Sequence, residues 1–422
     1  MKRTKSITLI FLISFIAIST AQLKVDAELR PRFEYRHGFK TLFPDNEDPA
    51  AFVSQRTRLN VGYSIEKLNF YLSIQDIRVW GDVPQLNTAD NNGSSVHQAW
   101  GEILFTPNLS LKLGRQEINL DDQRLFGSVN WAHQARSHDA ALIKYNKESL
   151  SINLGFAFNQ DNEALLGNTL TIPNTYKSIQ YAWLHKEWKH FSGSFLFLNN
   201  GLQFIDPTNS DNDETRYSQT IGTHLKYNQD KLKLVSNLYY QFGNDVNNND
   251  LSAYLLSLEA NYQLAEKWKG TLGGELLSGN DDGTPTNGDN NAFNPFYGTN
   301  HKFNGLMDYF YVGNHIDNVG LIDLYAKIDV KLNSKSRLNI AGHYFSAAAN
   351  FPGNDTDKTL GTEIDFVYLY DFQKHISFKA GYSHLFPSDG MEILKNNFDG
   401  NSNYWGWIMV TIKPTLFTSN NK

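Results

Sequence analysis

A chain of 422 residues with no cysteine, 38 basic and 44 acidic side chains and a formal charge of −6 excludes two broad classes. It has no disulfide framework, and it has no basic tract to give nucleic acid an electrostatic footprint, so no nucleic-acid partner is expected. Aromatics reach 14% in a chain whose mean hydropathy is −0.45. A soluble β-sandwich or propeller can hold that mixture, but a membrane barrel explains it more directly, with one strand face toward lipid, the other toward water, and aromatics at the interfaces.

In chain order, the first element is a secretory signal over residues 1–21. Lys2, Arg3 and Lys5 form a positive head, Ile7 to Ile18 are almost all apolar, and Ser19-Thr20-Ala21 ends in a small-x-small cleavage pattern. The apolar run is shorter than the ~20 residues a spanning helix needs, which argues against an anchor. The mature domain is expected to run from 22 to 422, and losing those three basic residues and no acidic one leaves 35 basic against 44 acidic.

Period-two alternation follows. Val25, Ala27, Leu29, Phe33 and Tyr35 share one face, and Glu28, Arg30, Arg32, Glu34 and Arg36 the other. Leu59, Val61, Tyr63 and Ile65 oppose Arg56, Arg58, Asn60 and Ser64, and the clearest run sets Ile322, Leu324, Ala326, Ile328 and Val330 against Asp323, Tyr325, Lys327, Asp329 and Lys331. Such runs have about the ten residues a tilted strand needs to cross a bilayer. Strands are predicted over 24–36, 55–66, 67–78, 96–105, 109–118, 138–146, 150–159, 176–186 and 190–199. They continue over 217–227, 231–242, 251–262, 268–277, 319–332, 336–346, 360–371, 375–384 and 404–413.

Connections alternate in length. Glu66-Lys67, Thr106-Pro107-Asn108, Asn146-Lys147-Glu148, Asn228-Gln229-Asp230 and Asn333-Ser334-Lys335 are tight turns, and long segments lie between successive hairpins, the longest over 278–318. That rhythm fits short periplasmic turns and long outer loops. The fold class is therefore all-β: a transmembrane antiparallel barrel of about eighteen strands in the outer membrane of a Gram-negative envelope. An open sheet is excluded because lipid cannot satisfy its edges.

Arginine is uneven. Of eleven beyond the signal, nine fall between Arg30 and Arg136: Arg30, Arg32, Arg36, Arg56, Arg58, Arg78, Arg115, Arg124 and Arg136. Alternation turns Arg30, Arg32, Arg36, Arg56 and Arg58 into the lumen, where guanidinium forks would bind carboxylate or phosphate and offer an anionic solute successive sites. The competing reading is a structural network in which Glu28, Glu34, Glu102, Glu117, Asp121, Asp122 and Asp139 neutralise them.

Gln75-Asp76-Ile77-Arg78-Val79-Trp80-Gly81-Asp82 resembles the alginate-export family of outer-membrane barrels. So do Leu113-Gly114-Arg115-Gln116-Glu117, then Asp121-Asp122-Gln123-Arg124-Leu125, and Trp131, Gln134, Arg136 and Asp139. His301-Lys302-Phe303-Asn304-Gly305 with Asp308, and Gly361-Thr362-Glu363-Ile364-Asp365, look like the same pattern. The resemblance implies a constricted, arginine-lined pore for an anionic polysaccharide, with loops or turns acting as plugs. It carries the basic pathway to Arg30, Arg32, Arg56, Arg58, Arg115, Arg124 and Arg136, with Asp121, Asp122 and Asp139 as acidic partners. The later strands add mixed charge at Glu259, Glu275, Asp323, Lys327, Asp329, Lys331, Glu363 and Asp365.

The Asn/Asp/Gly-rich loops at 243–250, 279–291 and 353–357 fit no EF-hand spacing and read as solvated turns, so no metal or cofactor is expected. Phe293, Phe296, Tyr297, Phe303, Tyr309, Phe310 and Tyr311 crowd the segment 278–318, which predicts that part of it folds against or into the barrel mouth. His133, Ser137, His138 and Asp139 lie too close in sequence to converge as a catalytic set. Asp121 and Asp122 are adjacent and would point apart on a strand. The chain is thus expected to be no enzyme but a channel for polar, anionic saccharides, with Arg78 and Glu102 also on the solute pathway. The alternative is a closed-lumen barrel enzyme or surface glycan-binding protein. Its partners would be outer-membrane lipid, the saccharide and the barrel-assembly machinery.

Overall fold

A computed structural model describes residues 21–86, 90, 93–311, 315, 319–350 and 357–419. The secretory signal and most of the 353–357 loop lie outside the described residues. Eighteen strands form one antiparallel barrel: β1 (Gln22–His37), β2 (Ala50–Ile65), β3 (Leu68–Val79), β4 (Ser94–Leu104), β5 (Leu109–Gln116), β6 (His138–Lys147), β7 (Leu150–Phe158), β8 (Ser178–Glu187) and β9 (Phe191–Phe204). The order continues with β10 (Glu214–Gln229), β11 (Leu232–Asn244), β12 (Asp250–Ala265), β13 (Trp268–Leu277), β14 (Leu321–Lys331), β15 (Ser336–Ser346), β16 (Thr359–Gln373), β17 (Ile376–Pro387) and β18 (Asn403–Ile412). Each strand pairs with the next, and β1 closes the circle on β18 from Leu29↔Ile412 to His37↔Tyr404. A short C-terminal strand, Thr415–Thr418, extends that seam along the start of β1.

All eighteen predicted strands are present. The largest boundary errors are at outer ends, where β2 starts at Ala50 and β9 runs on to Phe204. There the ladder continues beyond the lipid through residues such as Asn200, Gly201 and Gln203, paired with β10, and the outward face no longer has to be apolar. Three two-residue hairpins place their first turn residue at positive φ: Glu66 (37°), Glu148 (52°) and Asp230 (52°). That handedness matches the twist of the flanking strands and fixes their register.

The outward face is apolar over a broad belt that includes Phe33, Leu59, Phe70, Ile143, Phe195, Leu256, Leu324 and Ile408, all substantially exposed. Tyr240, Tyr254, Tyr344 and Tyr382 ring the loop end, and Tyr262, Trp268, Phe372 and Phe378 ring the turn end, the arrangement expected at two membrane interfaces. No described helix is long and apolar enough to cross a membrane; the crossing is made by strands.

The buried apolar cluster sits inside the barrel. Loops at 38–49, 117–137 and 278–311, with the short helix α1 (Asp389–Lys395), fold inward from the outer end. They bury Phe39, Leu42, Leu125, Phe126, Phe293, Met307, Tyr309, Phe310 and Met391 against Phe345 and Trp405 of the wall. Part of the aromatic loop, through Phe293, Met307, Tyr309 and Phe310, is thus in the lumen, as its composition predicted.

Candidate functional site

The inward row of β1 and β2 begins as an electrostatic problem. Register sets Arg30 directly opposite Arg56 and Arg58 opposite Glu28, and like charges facing across a strand pair repel. Two sources of oxygen relieve this. The Glu28 carboxylate takes Arg56 Nε and Nη2 at 2.9 and 2.5 Å, and Glu34 takes Arg32 Nε at 2.8 Å. The loop segment 130–134 supplies the rest. Arg30 donates to the carbonyls of Asn130, Trp131 and Ala132 at 2.8, 3.3 and 3.4 Å, and Arg32 donates to Trp131 O at 2.8 Å. Arg56 donates to His133 O at 3.2 Å, while Gln75, bonded to Arg58, donates to Gln134 O at 3.0 Å. The Arg32 guanidinium also lies over the Trp131 ring at 4.1 Å, with His301 stacked on that ring at 4.7 Å.

The His133 imidazole meets Ser54 Oγ at 2.8 Å. Burial, and then the surrounding Arg32, Arg30, Arg56 and Arg58, hold its pKa down at about 2. It is a neutral wedge under the arginines.

Elsewhere around the wall, carboxylates hold the loops. Glu363 accepts the backbone N–H of Leu306 and Met307 at 2.6 and 2.9 Å. Glu275 accepts the Asn304 amide at 2.8 Å and pairs with Arg124, whose guanidinium lies over Phe303 at 4.4 Å. Gly305, at φ 80°, makes this approach possible, since a Cβ there would lie 2.6 Å from a Glu363 oxygen. Asp121 accepts from Trp183 Nε1 at 3.1 Å and from Ser194, and Asp122 accepts from Asn237 Nδ2 at 2.8 Å. The two loops bond each other through Gly127 N to Tyr297 O and Thr299 N to Gln123 O, both at 2.9 Å. Together they form a septum across the lumen, with the carbonyls of 130–133 on the arginines and the N–H groups of Leu306 and Met307 on Glu363.

A cavity lies on each side of it. The outer vestibule, about 680 Å³, is lined by Arg32, Glu34, Arg36, Lys40, Trp131 and Arg136 among others. The inner chamber, about 290 Å³, is lined by Lys226, Lys233, Glu259, Lys302, Asp323 and Lys327 among others. The turn Asn300–Lys302 separates them: Asn300 and His301 face the vestibule, Lys302 and Phe303 the chamber.

The sequence-derived pathway residues therefore divide. Arg30, Arg32, Arg56 and Arg58 share the lumen wall, and Arg124 and Arg136 belong to the septum, where Arg136 donates to Gly298 O at 3.0 Å. Glu102 is inward near the turn end, held by Ser110 and Lys144 rather than by arginine. Three expectations are corrected. Arg115 and Asp139 pair at 2.8 Å with side chains 43% and 59% exposed. They share the parity of the outward Leu113 and Ile143, so they sit on the outer flank, away from the pathway. Arg78 has the parity of outward Ile74 and is tied to Asp76 and Asp90 at the rim. Among the described residues Asp121 and Asp122 form no ion pair with arginine; the loop carries them across the lumen to β8, β9 and β11. The roles of Glu275 and Glu363 as loop anchors were missed, and local sequence holds no signal for contacts made 29 or more residues away.

The residues at 133–139 disperse as expected: His133 to Ser54, His138 to Tyr176 and Asp139 to Arg115. Ser137 does meet a histidine from another strand, with Oγ 3.0 Å from His97 Nδ1 and His97 Nε2 2.8 Å from Glu117. Its hydroxyl is closer still to the His97 carbonyl, at 2.6 Å, which accepts its hydrogen bond and makes this an anchor for the end of the loop.

The chain has no match among curated protein sequences. It is similar in fold to Acinetobacter baumannii OccAB4, with TM-score 0.64 and 12% identity over 94% of this chain and 98% of that one. It is also similar to Pseudomonas aeruginosa OpdL, with TM-score 0.62 and 13% identity over 94% and 99%. Pseudomonas aeruginosa OpdK with vanillate gives 0.60 and 12% over 94% and 98%. These likenesses agree with an eighteen-stranded outer-membrane barrel. A family model described as alginate export matches residues 21–405, and the chain belongs to that family.

Proposed function

We propose that this barrel passes polar, anionic saccharides, which its outer vestibule selects by charge. Family membership and porin-like fold support a channel role rather than an enzyme. The finer reading rests on one observation: Arg32, Arg36, Lys40 and Arg136 line the vestibule with Glu34 and Asp308 beside them, and Arg78 and Asp82 lie at its rim. Four cations against two carboxylates leave an excess of positive charge in a confined space, where field focusing raises the local concentration of anions. Delivery through a secretory signal and insertion by the barrel-assembly machinery complete the proposal.

Reversal potentials of the purified protein in planar bilayers under a KCl gradient test it. Anion preference is expected, weakened in Arg36→Gln and Arg136→Gln. Cation preference, unchanged by both substitutions, refutes the reading. The septum itself favours a second reading, a barrel that stays closed and binds glycan at its outer face. Glycan binding without any conductance selects that one.

A further inference from the structure

The aromatic ring at the loop end is broken on one flank. Tyrosines mark that interface on β11, β12, β15 and β17, but from β2 to β6 most of the outward positions there are polar. Register sets Gln55 of β2 beside Arg78 of β3, and Thr57, Asp76 and Ser94 side by side across β2, β3 and β4. Arg115 and Asp139 continue the band on β5 and β6, and Arg115 Nε reaches the Val96 carbonyl at 3.1 Å, two residues from Ser94. A charge on the lipid face is costly at mid-bilayer and nearly free at the interface, so this band lies at headgroup level. Its charges are already matched: Asp76 takes Arg78 Nε at 2.7 Å and Asp139 takes Arg115 at 2.8 Å. Two arginines against Asp76, Asp90 and Asp139 leave no positive excess to hold a bare anion. What remains is hydrogen-bonding capacity. Thr57 and Ser94 are exposed, and with Gln55, Asp76, Arg78 and Asp90 they line an outward-opening cavity of about 480 Å³, the size of a small-molecule pocket. Trp80 stands beside it, 60% exposed, with Nε1 on Gln55 Oε1 at 3.0 Å.

We propose that this flank binds the sugar headgroup of an outer-leaflet glycolipid. Hydroxyls of the sugar bond Thr57, Ser94 and the Asp76 carboxylate, and the Trp80 ring covers a pyranose face. The place selects a membrane lipid over a free sugar. Directly below the polar band the same strands turn apolar at Leu59, Ile74, Leu113 and Ile143, all substantially exposed, so acyl chains lie on that strip while the headgroup fills the cavity. Asp76, Arg78, Arg115 and Asp139, which the solute pathway leaves without a task, thereby hold the barrel in its leaflet.

Native mass spectrometry of the detergent-purified barrel counts bound lipid. A bisphosphorylated diglucosamine glycolipid (lipid A) is expected to bind saturably, one molecule per barrel, and its enzymatically dephosphorylated form likewise. Phosphatidylglycerol, anionic but free of sugar, should show no such site. Thr57→Val combined with Ser94→Ala keeps the shape of the wall and removes two hydroxyls. It should raise the half-saturating glycolipid concentration about tenfold, the size of two hydrogen bonds. Trp80→Ala, outside the strands, should raise it as well and provides a second variant if the first does not fold. Tyr254→Leu, on the far flank, should leave it unchanged. Equal binding of phosphatidylglycerol, or unchanged glycolipid affinity in both variants, overturns the proposal. Loss of binding on dephosphorylation overturns sugar recognition and makes this a phosphate site. A barrel dimer without bound glycolipid, dissociated by Thr57→Val with Ser94→Ala, makes the flank an interface between copies and overturns it too.

Discussion

Replacing Arg124 by methionine tests how the septum is held. The guanidinium is 1% exposed, pairs with Glu275, donates to Asn304 Oδ1 at 3.2 Å and lies over Phe303. Methionine fills similar volume but leaves the Glu275 carboxylate, whose side chain is 5% exposed, with the Asn304 amide alone. Breaking a buried pair from one side costs ~3–5 kcal/mol, because the remaining charge is left uncompensated. At ~1.4 kcal/mol per factor of ten, the undocked septum should gain roughly a hundred- to several-thousand-fold in relative population. Single-channel recordings then show a larger open fraction than in the parent. Adding Glu275→Gln removes the stranded charge, and the double variant should recover most of the parent closure. Parent-like gating in Arg124→Met, or a double variant as open as the single, refutes the claim that this pair anchors the septum.

Two further outcomes follow from the same geometry. His133 is neutral in the docked loop, with its pKa held down at about 2 by burial and the arginines. Its stabilising effect is complete above the undocked value of ~6.5 and falls by ~1.4 kcal/mol per pH unit below it. Acidification from pH 7 to 5 should therefore raise the open fraction, and His133→Gln should flatten that component of the pH profile; an unchanged profile contradicts the wedge. On the lipid face, Leu59→Lys should cost ~2–4 kcal/mol in urea unfolding from lipid vesicles if Leu59 lies near mid-bilayer, and a cost below ~0.5 kcal/mol would show that it does not face lipid.

The barrel was legible because its code is local. Alternation such as Ile322 to Lys331 and turns such as Glu66-Lys67 state strand and hairpin within ten residues, and lipid on one side with water on the other keeps that period strict. The inward direction of Arg30, Arg32, Arg56 and Arg58 followed from the same parity, and the inward folding of part of the loop after β13 followed from its aromatic composition. Parity also contradicted the pathway roles of Arg115 and Asp139, which family likeness had suggested and which Leu113 and Ile143 would have corrected.

What the sequence by itself determined, then, was strand count, sidedness and the placement of arginine on one wall. Tertiary structure alone decided that the lumen is divided, that carbonyls of 130–134 occupy the arginines, and that Glu275 and Glu363 hold the other loop. Backbone carbonyls and N–H groups are the same in every residue and leave no mark in composition. Their pairing with charged side chains far along the chain, such as the Ala132 carbonyl with Arg30 102 positions away, is set by how two irregular loops pack inside a closed wall.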